Sequence, residues 1–264
     1  MKRVYVIFVF CLTAALLQAH EFWLQPKKYR YNLGEEIKID LMVGESFTGE
    51  YWDLNRHKVE KMQLHRISGA KDLTSSVSKS KGNNLSFKAD AEGTYLFAMQ
   101  SNAAYLELPA DEFNAYLKED GLDYILDERK KLNQSDKPSR ENYTRFAKLL
   151  VQVGAKPDET HKKKLGLRYE IVPEQNPYTL KTGDYLDCKV YYEGKPAAFA
   201  LVKVWSMVNN TTFLQNIYTE KDGSVRFPIG TKGAWMVSSV RMIKSESKNA
   251  DYHSLWASLV FEIQ

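Results

Sequence analysis

The feature that most constrains the fold is an alternation of apolar and polar residues with a period of two. Between positions 36 and 45, Ile37, Ile39, Leu41 and Val43 recur at every second residue. Side chains two residues apart lie on the same face of a β-strand, so this spacing predicts a strand with one buried face. Similar strand-like runs, separated by turns, occur at 94–101, 186–192, 200–207, 235–242 and 255–263. The chain is therefore predicted to be mainly β.

A different period interrupts the strands between Pro109 and Gly154. Two short helices are predicted at 111–119 and 122–131, separated by Asp120-Gly121. The apolar residues that follow recur at spacings of three and four, which is typical of one helical face. These residues are Tyr143, Phe146, Leu149, Leu150 and Val153. We therefore predict a helical insertion, followed by a polar linker that is punctuated by Gly and Pro.

Together these patterns predict two immunoglobulin-like or transthyretin-like antiparallel β-sandwich domains with a helical insertion. The predicted boundaries are a signal peptide at 1–19, an N-terminal sandwich at 20–108, the insertion at 109–154, the linker at 155–166 and a C-terminal sandwich at 167–264.

The first residues predict export. Lys2 and Arg3 precede the apolar run at 4–17, and Ala19 is a small residue suited to signal cleavage. The apolar run is short for a membrane span, so no membrane span is expected after signal removal. The compartment is then the periplasm, with secretion or the cell surface as alternatives. Only Cys188 would remain, which excludes an internal disulfide, and its position in a strand pattern predicts a buried thiol.

Composition excludes several classes of protein. The chain has 37 basic and 33 acidic residues, and the formal charge of +4 gives no reason to expect a nucleic-acid partner. It contains no Gly-x-Ser-x-Gly elbow, P-loop, His-Glu-x-x-His motif or glycine-rich dinucleotide loop. We therefore predict a protein that is not an enzyme. An aromatic cluster at Tyr29, Tyr31 and Tyr51-Trp52 suits a sugar-binding platform, although packing in a sandwich is the commoner role of such residues.

Metal chelation is the chemistry that the histidines suggest. Cleavage after Ala19 makes His20 the first residue, whose α-amine and ring nitrogen bind one cation together. His253 and His65 are the predicted further ligands. His57 is interpreted as a surface loop residue. The expected cofactor is a divalent transition metal, with nickel or cobalt favoured over copper.

Five segments carry a family resemblance: 20–26 (HEFWLQP), 44–50 (GESFTGE), 108–117 (LPADEFNAYL), 140–148 (RENYTRFAK) and 254–261 (SLWASLVF). They resemble an extracytoplasmic bacterial domain of unknown function, often labelled a nickel-uptake substrate-specific region or a periplasmic component of a cobalt-type transport system. The resemblance implies a Gram-negative periplasmic or surface protein of β-sandwich architecture that handles divalent transition metals. It also implies that His20 is a ligand, and that Arg241 stands where many relatives have His.

Three functions follow as hypotheses. The first is a binding protein that captures Ni²⁺ or Co²⁺ at His20 and passes it to an inner-membrane or outer-membrane metal transporter. The second is an oxidative enzyme in which a terminal His and another His hold copper. The third is a structural or carbohydrate-binding surface module without metal preference.

Overall fold

The computed structural model describes residues 21–264, and this part of the chain is mainly β with two short α-helices, as the sequence predicts. The N-terminal strands are β1 (Glu21–Pro26), β2 (Arg30–Tyr31), β3 (Glu36–Glu45), β4 (Thr48–Tyr51), β5 (Val59–Arg66), β6 (Gly69–Asp72), β7 (Leu85–Lys88), β8 (Gly93–Ser101) and β9 (Ala104–Leu108). The central elements are α1 (Ala110–Glu119), α2 (Asp123–Lys131) and β10 (Ser139–Val153). The C-terminal strands are β11 (Tyr169–Pro173), β12 (Tyr185–Tyr192), β13 (Lys195–Pro196), β14 (Leu201–Val208), β15 (Thr211–Tyr218), β16 (Ser224–Pro228), β17 (Gly233–Lys244) and β18 (Tyr252–Ile263).

One large sheet runs through both halves of the described chain. Its ten strands include the order β15-β14-β17-β18-β10-β8-β5-β6, with β2 and β9 also paired to β10. Two four-stranded sheets cover it: β1, β3, β4 and β7 in the N-terminal half, and β11, β12, β13 and β16 in the C-terminal half. Strand β1 lies against β10 and β18, and β11 lies against β17 and β18.

The junction between the halves is a parallel pairing of β10 with β18. The register runs from Glu141 opposite Tyr252 to Leu149 opposite Val260. The large sheet is therefore not purely antiparallel, contrary to the predicted sandwiches. It also joins the two halves through a continuous hydrogen-bonded ladder, whereas the prediction has separate sheets. The immunoglobulin-like or transthyretin-like order of each half stays a prediction.

The third predicted helix is wrong, because the structure forms strand β10 at Ser139–Val153. The residues from Phe146 to Val153 are all buried. A strand at the centre of a sheet, with a layer on each face, is apolar on both faces and loses its period of two. Spacings of three and four arise by chance in such a run, and they imitate a helix.

The two shorter helices are confirmed, and they form a cover over one face of β18. Phe113 stacks on Tyr252 with ring centroids 5.8 Å apart, and Tyr116 stacks on Trp256 at 5.9 Å. Gly121 joins the helices with φ +67, and a Cβ there would lie 2.6 Å from the Leu201 side chain. Glycine is required at this position, because other residues rarely adopt positive φ and have no room here.

The predicted linker does not behave as an extended spacer. A 3₁₀ turn spans Glu159–Lys162, and Asp158 caps it by accepting a hydrogen bond from the Thr160 amide at 2.8 Å. Thr160 and His161 are buried, and Asn176 donates to the Asp158 carbonyl at 3.0 Å. The segment is therefore packed against its surroundings.

Cys188 is buried on β12, as predicted, and burial raises the pKa of its thiol. Neither α1 nor α2, the α-helices of the part that the structure describes, is long and apolar enough to cross a membrane.

Candidate functional site

The predicted metal ligands do not come together in the structure. His20 lies outside the described residues. His65 lies on β5 opposite Leu96, which pairs with Leu150 of β10, whereas His253 lies beside Asn142 of the same strand. The two histidines are thus separated by eight residues along β10, about 26 Å at a rise of 3.3 Å per residue. His65 and His253 cannot ligate one ion, so their assignment to a shared site is wrong.

Each histidine also has a protein partner and a cationic environment. The ring of His253 is 2.9 Å from Thr144 Oγ1, and that of His65 is 3.3 Å from Gln63 Oε1. Burial lowers the pKa of both, with further lowering by Arg168 at His253 and by Lys163 at His65. Between residues 21 and 264, no group of three or more His, Cys, Asp or Glu is arranged to hold a metal ion.

The structure instead forms an aromatic cleft of about 220 Å³ at the junction of the two halves. Strand β10 supplies Glu141, Tyr143 and Arg145, which are two residues apart and therefore share one face. The register places Trp256 of β18 next to Arg145, and α1 adds Tyr116. This set of residues, together with Trp52 and His57, is called the cleft below.

The loop after β4 forms one wall of the cleft. Asp53 Oδ1 accepts from the Asn55 amide at 3.0 Å, and the Asp53 carbonyl accepts from the His57 amide at 3.0 Å. Such a turn is typical of Asp followed by Asn. It brings the His57 ring onto Trp52, with the rings 10° from parallel and their centroids 5.0 Å apart. His57 therefore lies in a loop, as predicted, with its ring half-buried in an aromatic wall rather than free at the surface.

Arg145 is a cation without an acidic partner. Its guanidinium lies 4.9 Å from the Tyr143 ring centroid and 5.4 Å from that of Phe22. No ion pair links it to an acid within residues 21–264, and its Nε is buried without a hydrogen-bond partner. Burial lowers its pKa. Residues 1–20 contain no Asp or Glu, so they have no side-chain carboxylate to offer it.

Glu141 is a buried carboxyl whose two oxygens differ in their hydrogen bonds. Oε1 accepts from Tyr116 Oη at 3.3 Å and from Ser254 Oγ, which in turn accepts from Trp256 Nε1 at 2.8 Å. Oε2 is buried without a partner. Burial raises the pKa of Glu141 from its ordinary value of 4.5 to about 8, so the carboxyl is mostly protonated at neutral pH. Because Oε1 already accepts two hydrogen bonds, the proton belongs on Oε2, which becomes a free donor.

The third unpartnered group of the cleft is the indole N–H of Trp52. Trp52 is only 4% exposed, and its ring is wedged between His57 and Phe22. A buried donor without an acceptor costs about 1–3 kcal/mol. Three residues that line the cleft, Trp52, Glu141 and Arg145, thus each carry a buried polar atom without a partner within residues 21–264.

A buried charge network lies next to the cleft and shares Trp256 with it. Lys203 Nζ is 2.7 Å from Asp120 Oδ1 and 3.7 Å from Glu21 Oε1. Burial raises the pKa of Glu21 to about 7 and that of Asp120 to about 6, while Lys203 lowers both. The enclosed space is only about 10 Å³, which is the size of a single water site and too small for an organic ligand.

Sequence reasoning found only part of the cleft. It singled out Trp52 as part of an aromatic cluster, but it assigned 143–153 to a helix. In a strand, every second residue lies on the same face. The spacing of Glu141, Tyr143 and Arg145 is therefore the feature of the sequence from which their shared face could have been predicted.

Comparison with solved structures finds distant neighbours. A tetra-tandem repeat in the extending region of a large adhesion protein is 8% identical, with 93% of this chain and 50% of that chain covered and a TM-score of 0.23. Trypsin-activated alpha-2-macroglobulin from Escherichia coli is 10% identical, with 92% and 15% covered and a TM-score of 0.22. The chain thus spans half the length of the first and about one seventh of the second.

Among curated proteins, none matches the chain. A family model does match, over residues 17–242, which is most of the sequence and includes every residue of the cleft except Trp256. The chain therefore belongs to the family described as Domain of unknown function (DUF4198).

Proposed function

We propose that this protein is an exported, non-enzymatic binding protein and that the cleft is its ligand site. The observation that carries the proposal is an aromatic cavity of about 220 Å³ lined by Trp52, Glu141 and Arg145, each of which has a buried polar atom without a protein partner within residues 21–264. Apolar walls with a few convergent polar groups are typical of small-molecule sites. These atoms are shielded from solvent, and a ligand towards which the side chains turn removes the cost of leaving them without partners.

The state of the polar groups supports binding rather than catalysis. Ser254 donates its hydroxyl proton to Glu141 and accepts from Trp256, so it is not free to act as a nucleophile. Glu141 is mostly protonated at neutral pH, so it does not serve as a general base there. The cleft positions its ligand without an activated group beside it.

The indole N–H groups provide a direct test. Four of the five tryptophans donate to protein acceptors: Trp23 to Gln25, Trp205 to Ser238, Trp235 to Thr231 and Trp256 to Ser254. Trp52 is the exception. We expect ¹⁵N-indole spectra recorded with a small-molecule fragment set to show compounds that shift the Trp52 resonance and leave Trp235 unchanged. Trp52→Phe should weaken those compounds, and Trp235→Phe should not. Absence of any compound that shifts Trp52 would contradict the proposal.

Metal capture is a second candidate function, supported by the place of His20 in the sequence. His20 is joined to Glu21, the first residue of β1, and Glu21 is buried beside Asp120. A terminal His with two neighbouring carboxylates offers nitrogen and oxygen ligands to a divalent transition metal. In this proposal the protein is periplasmic, secreted or at the cell surface. It binds nickel or cobalt, with copper as an alternative, and delivers the ion to an inner-membrane or outer-membrane transporter.

Calorimetric titration with nickel, cobalt, copper and zinc tests this second candidate. The native-terminus protein is compared with a form that carries a few residues before His20, because extension converts the α-amine into an amide. Tight binding only by the native form is the expected result. Equal weak binding by both forms would contradict terminal chelation.

A further inference from the structure

We infer that the cleft binds a small organic anion, whose carboxylate pairs with Arg145 and whose flat apolar body lies against Tyr143 and Trp256. This inference rests on the proposed function of the cleft and names the chemical class of its ligand.

The charges that line the cleft favour an anionic ligand. Arg145 is half-buried, and a partly desolvated cation is costly unless an anion or strong acceptors compensate it. Arg145 has only aromatic neighbours, Phe22, Trp52 and Tyr143, within 6 Å of its guanidinium carbon. Burial lowers the pKa of Arg145, and Tyr143 raises it through charge and a side-chain hydrogen bond. The missing counter-charge is therefore expected from the ligand.

The neighbouring acids do not supply that charge. Glu141 lies on the same strand face, but it is mostly neutral at pH 7 because burial raises its pKa to about 8. Glu50 and Asp53 line the rim and are exposed, and Asp53 is engaged with the Asn55 amide. Arg56 on the same rim offsets one of these two charges. The interior of the cleft thus carries the single positive charge of Arg145.

The hydrogen-bond pattern points to the same ligand class. Arg145 Nε and Trp52 Nε1 are both donors without an acceptor, and the Arg145 guanidinium lies 5.9 Å from the Trp52 ring centroid. Guanidinium groups hold carboxylates by two parallel hydrogen bonds. The indole N–H of Trp52, in the same wall, is shielded from solvent and reaches an anion once the ring shifts.

The size and shape of the cleft limit the rest of the ligand. Its volume of about 220 Å³ is far larger than the single-water space of about 10 Å³ beside Lys203, so it has room for a small organic molecule. Glu141 and Arg145 are four residues apart on one strand, about 13 Å between their Cα atoms. Tyr143 lies between them. A monocyclic acid fits this arrangement, with its carboxylate at Arg145, its ring over Tyr143 and an acceptor group towards the protonated Oε2 of Glu141.

The test compares acids with their neutral isosteres on the purified full-length protein. The probes are benzoate with benzamide, and glucuronate with glucose, titrated while the ¹⁵N-indole resonance of Trp52 is followed. We expect at least one acid to bind about tenfold more tightly than its neutral partner, which corresponds to about 1.4 kcal/mol. That preference should fall in Arg145→Gln and with added salt. Arg226→Gln, which removes an exposed arginine of β16, is the matched control and should keep the preference.

The outcomes separate this inference from the proposed function. If the neutral probes shift Trp52 as strongly as the acids, the anion inference is overturned while the cleft remains a binding site. If none of the four probes shifts Trp52, the anion inference is overturned. The fragment-set experiment then tests separately whether the cleft binds any small molecule. The acid-to-neutral comparison uses the unmodified chain, so it remains decisive if Arg145→Gln does not fold.

Discussion

Replacing Glu141 by Gln should change how the stability of the protein depends on pH. Gln keeps an oxygen to accept from Ser254 and Tyr116 and an N–H group in place of the protonated Oε2. It cannot ionise. At low pH the two proteins should therefore have similar free energies of unfolding, because Glu141 is then protonated in both the folded and the unfolded state.

The size of the effect follows from the pKa of Glu141, which burial raises from 4.5 to about 8. A folded-state pKa above the unfolded value means that the stabilising contribution is complete below the unfolded pKa and is lost as the pH rises through the folded pKa. Between about pH 5.5 and 7.5 the folded protein holds one more proton at this site than the unfolded chain. The free energy of unfolding should then fall by about 1.4 kcal/mol per pH unit from this group alone.

Urea denaturation at several pH values measures this slope. The gap in stability between Glu141→Gln and the wild type should widen by about 3 kcal/mol between about pH 5.5 and 7.5. Glu21 and Asp120 also have raised pKa values, but they titrate in both proteins, so their contributions cancel in the difference. Glu60→Gln, at an exposed position of β5, is the control and should leave the slope unchanged. Parallel curves for wild type and Glu141→Gln would refute the reasoning, since they would mean that Glu141 is ionised in the folded protein.

Three further predictions concern the framework. Gly121→Ala should lower the free energy of unfolding by about 1–3 kcal/mol, because φ is +67 and a Cβ would meet a side chain at 2.6 Å; Gly230→Ala, which has open space, should have little effect in the same urea assay. Cys188 should resist a thiol reagent in the folded protein and react only in urea, because it is fully buried and burial raises its pKa; rapid labelling under native conditions would show that β12 opens. Lys148→Met should cost about 3–5 kcal/mol because it leaves the Glu170 carboxylate buried without its cation. Adding Glu170→Gln should recover part of the loss, because Gln keeps an oxygen for the Leu165 and Gly166 amides; a double variant as unstable as the single one would exclude that cause.

Much of the fold was predictable because its signals are local. The alternation of Ile37, Ile39 and Leu41 predicted β3, and Asp120-Gly121 marked the break between two helices. Strand β10 was not predictable in this way. Strand β10 is apolar on both faces because other elements pack against both faces and pair with both edges. A short stretch of sequence does not show this burial.

The cleft was predictable only in outline. An aromatic cluster that includes Trp52 is visible in the sequence, but its unpartnered indole N–H is not. The isolation of Arg145 depends on which carboxylates lie near it in space, and the shifted pKa of Glu141 depends on burial beneath α1. The histidines are predicted as metal ligands because His is among the side chains that bind metals best. In this chain His65 and His253 have ordinary protein partners.

The pairing of β10 with β18 has a consequence for the order in which the protein folds. Synthesis delivers β10 more than a hundred residues before β18, and the register joins Glu141 to Tyr252. Until β18 arrives, residues 141–149 of β10 lack a partner on one edge, and β1 lacks one of the two strands of the large sheet that it packs against. Contacts between such distant segments slow folding, and unpaired edges promote aggregation. A chain that emerges with its N-terminus first therefore completes its central sheet only after β18 has been made, and a truncation before Tyr252 should leave both halves without a finished core.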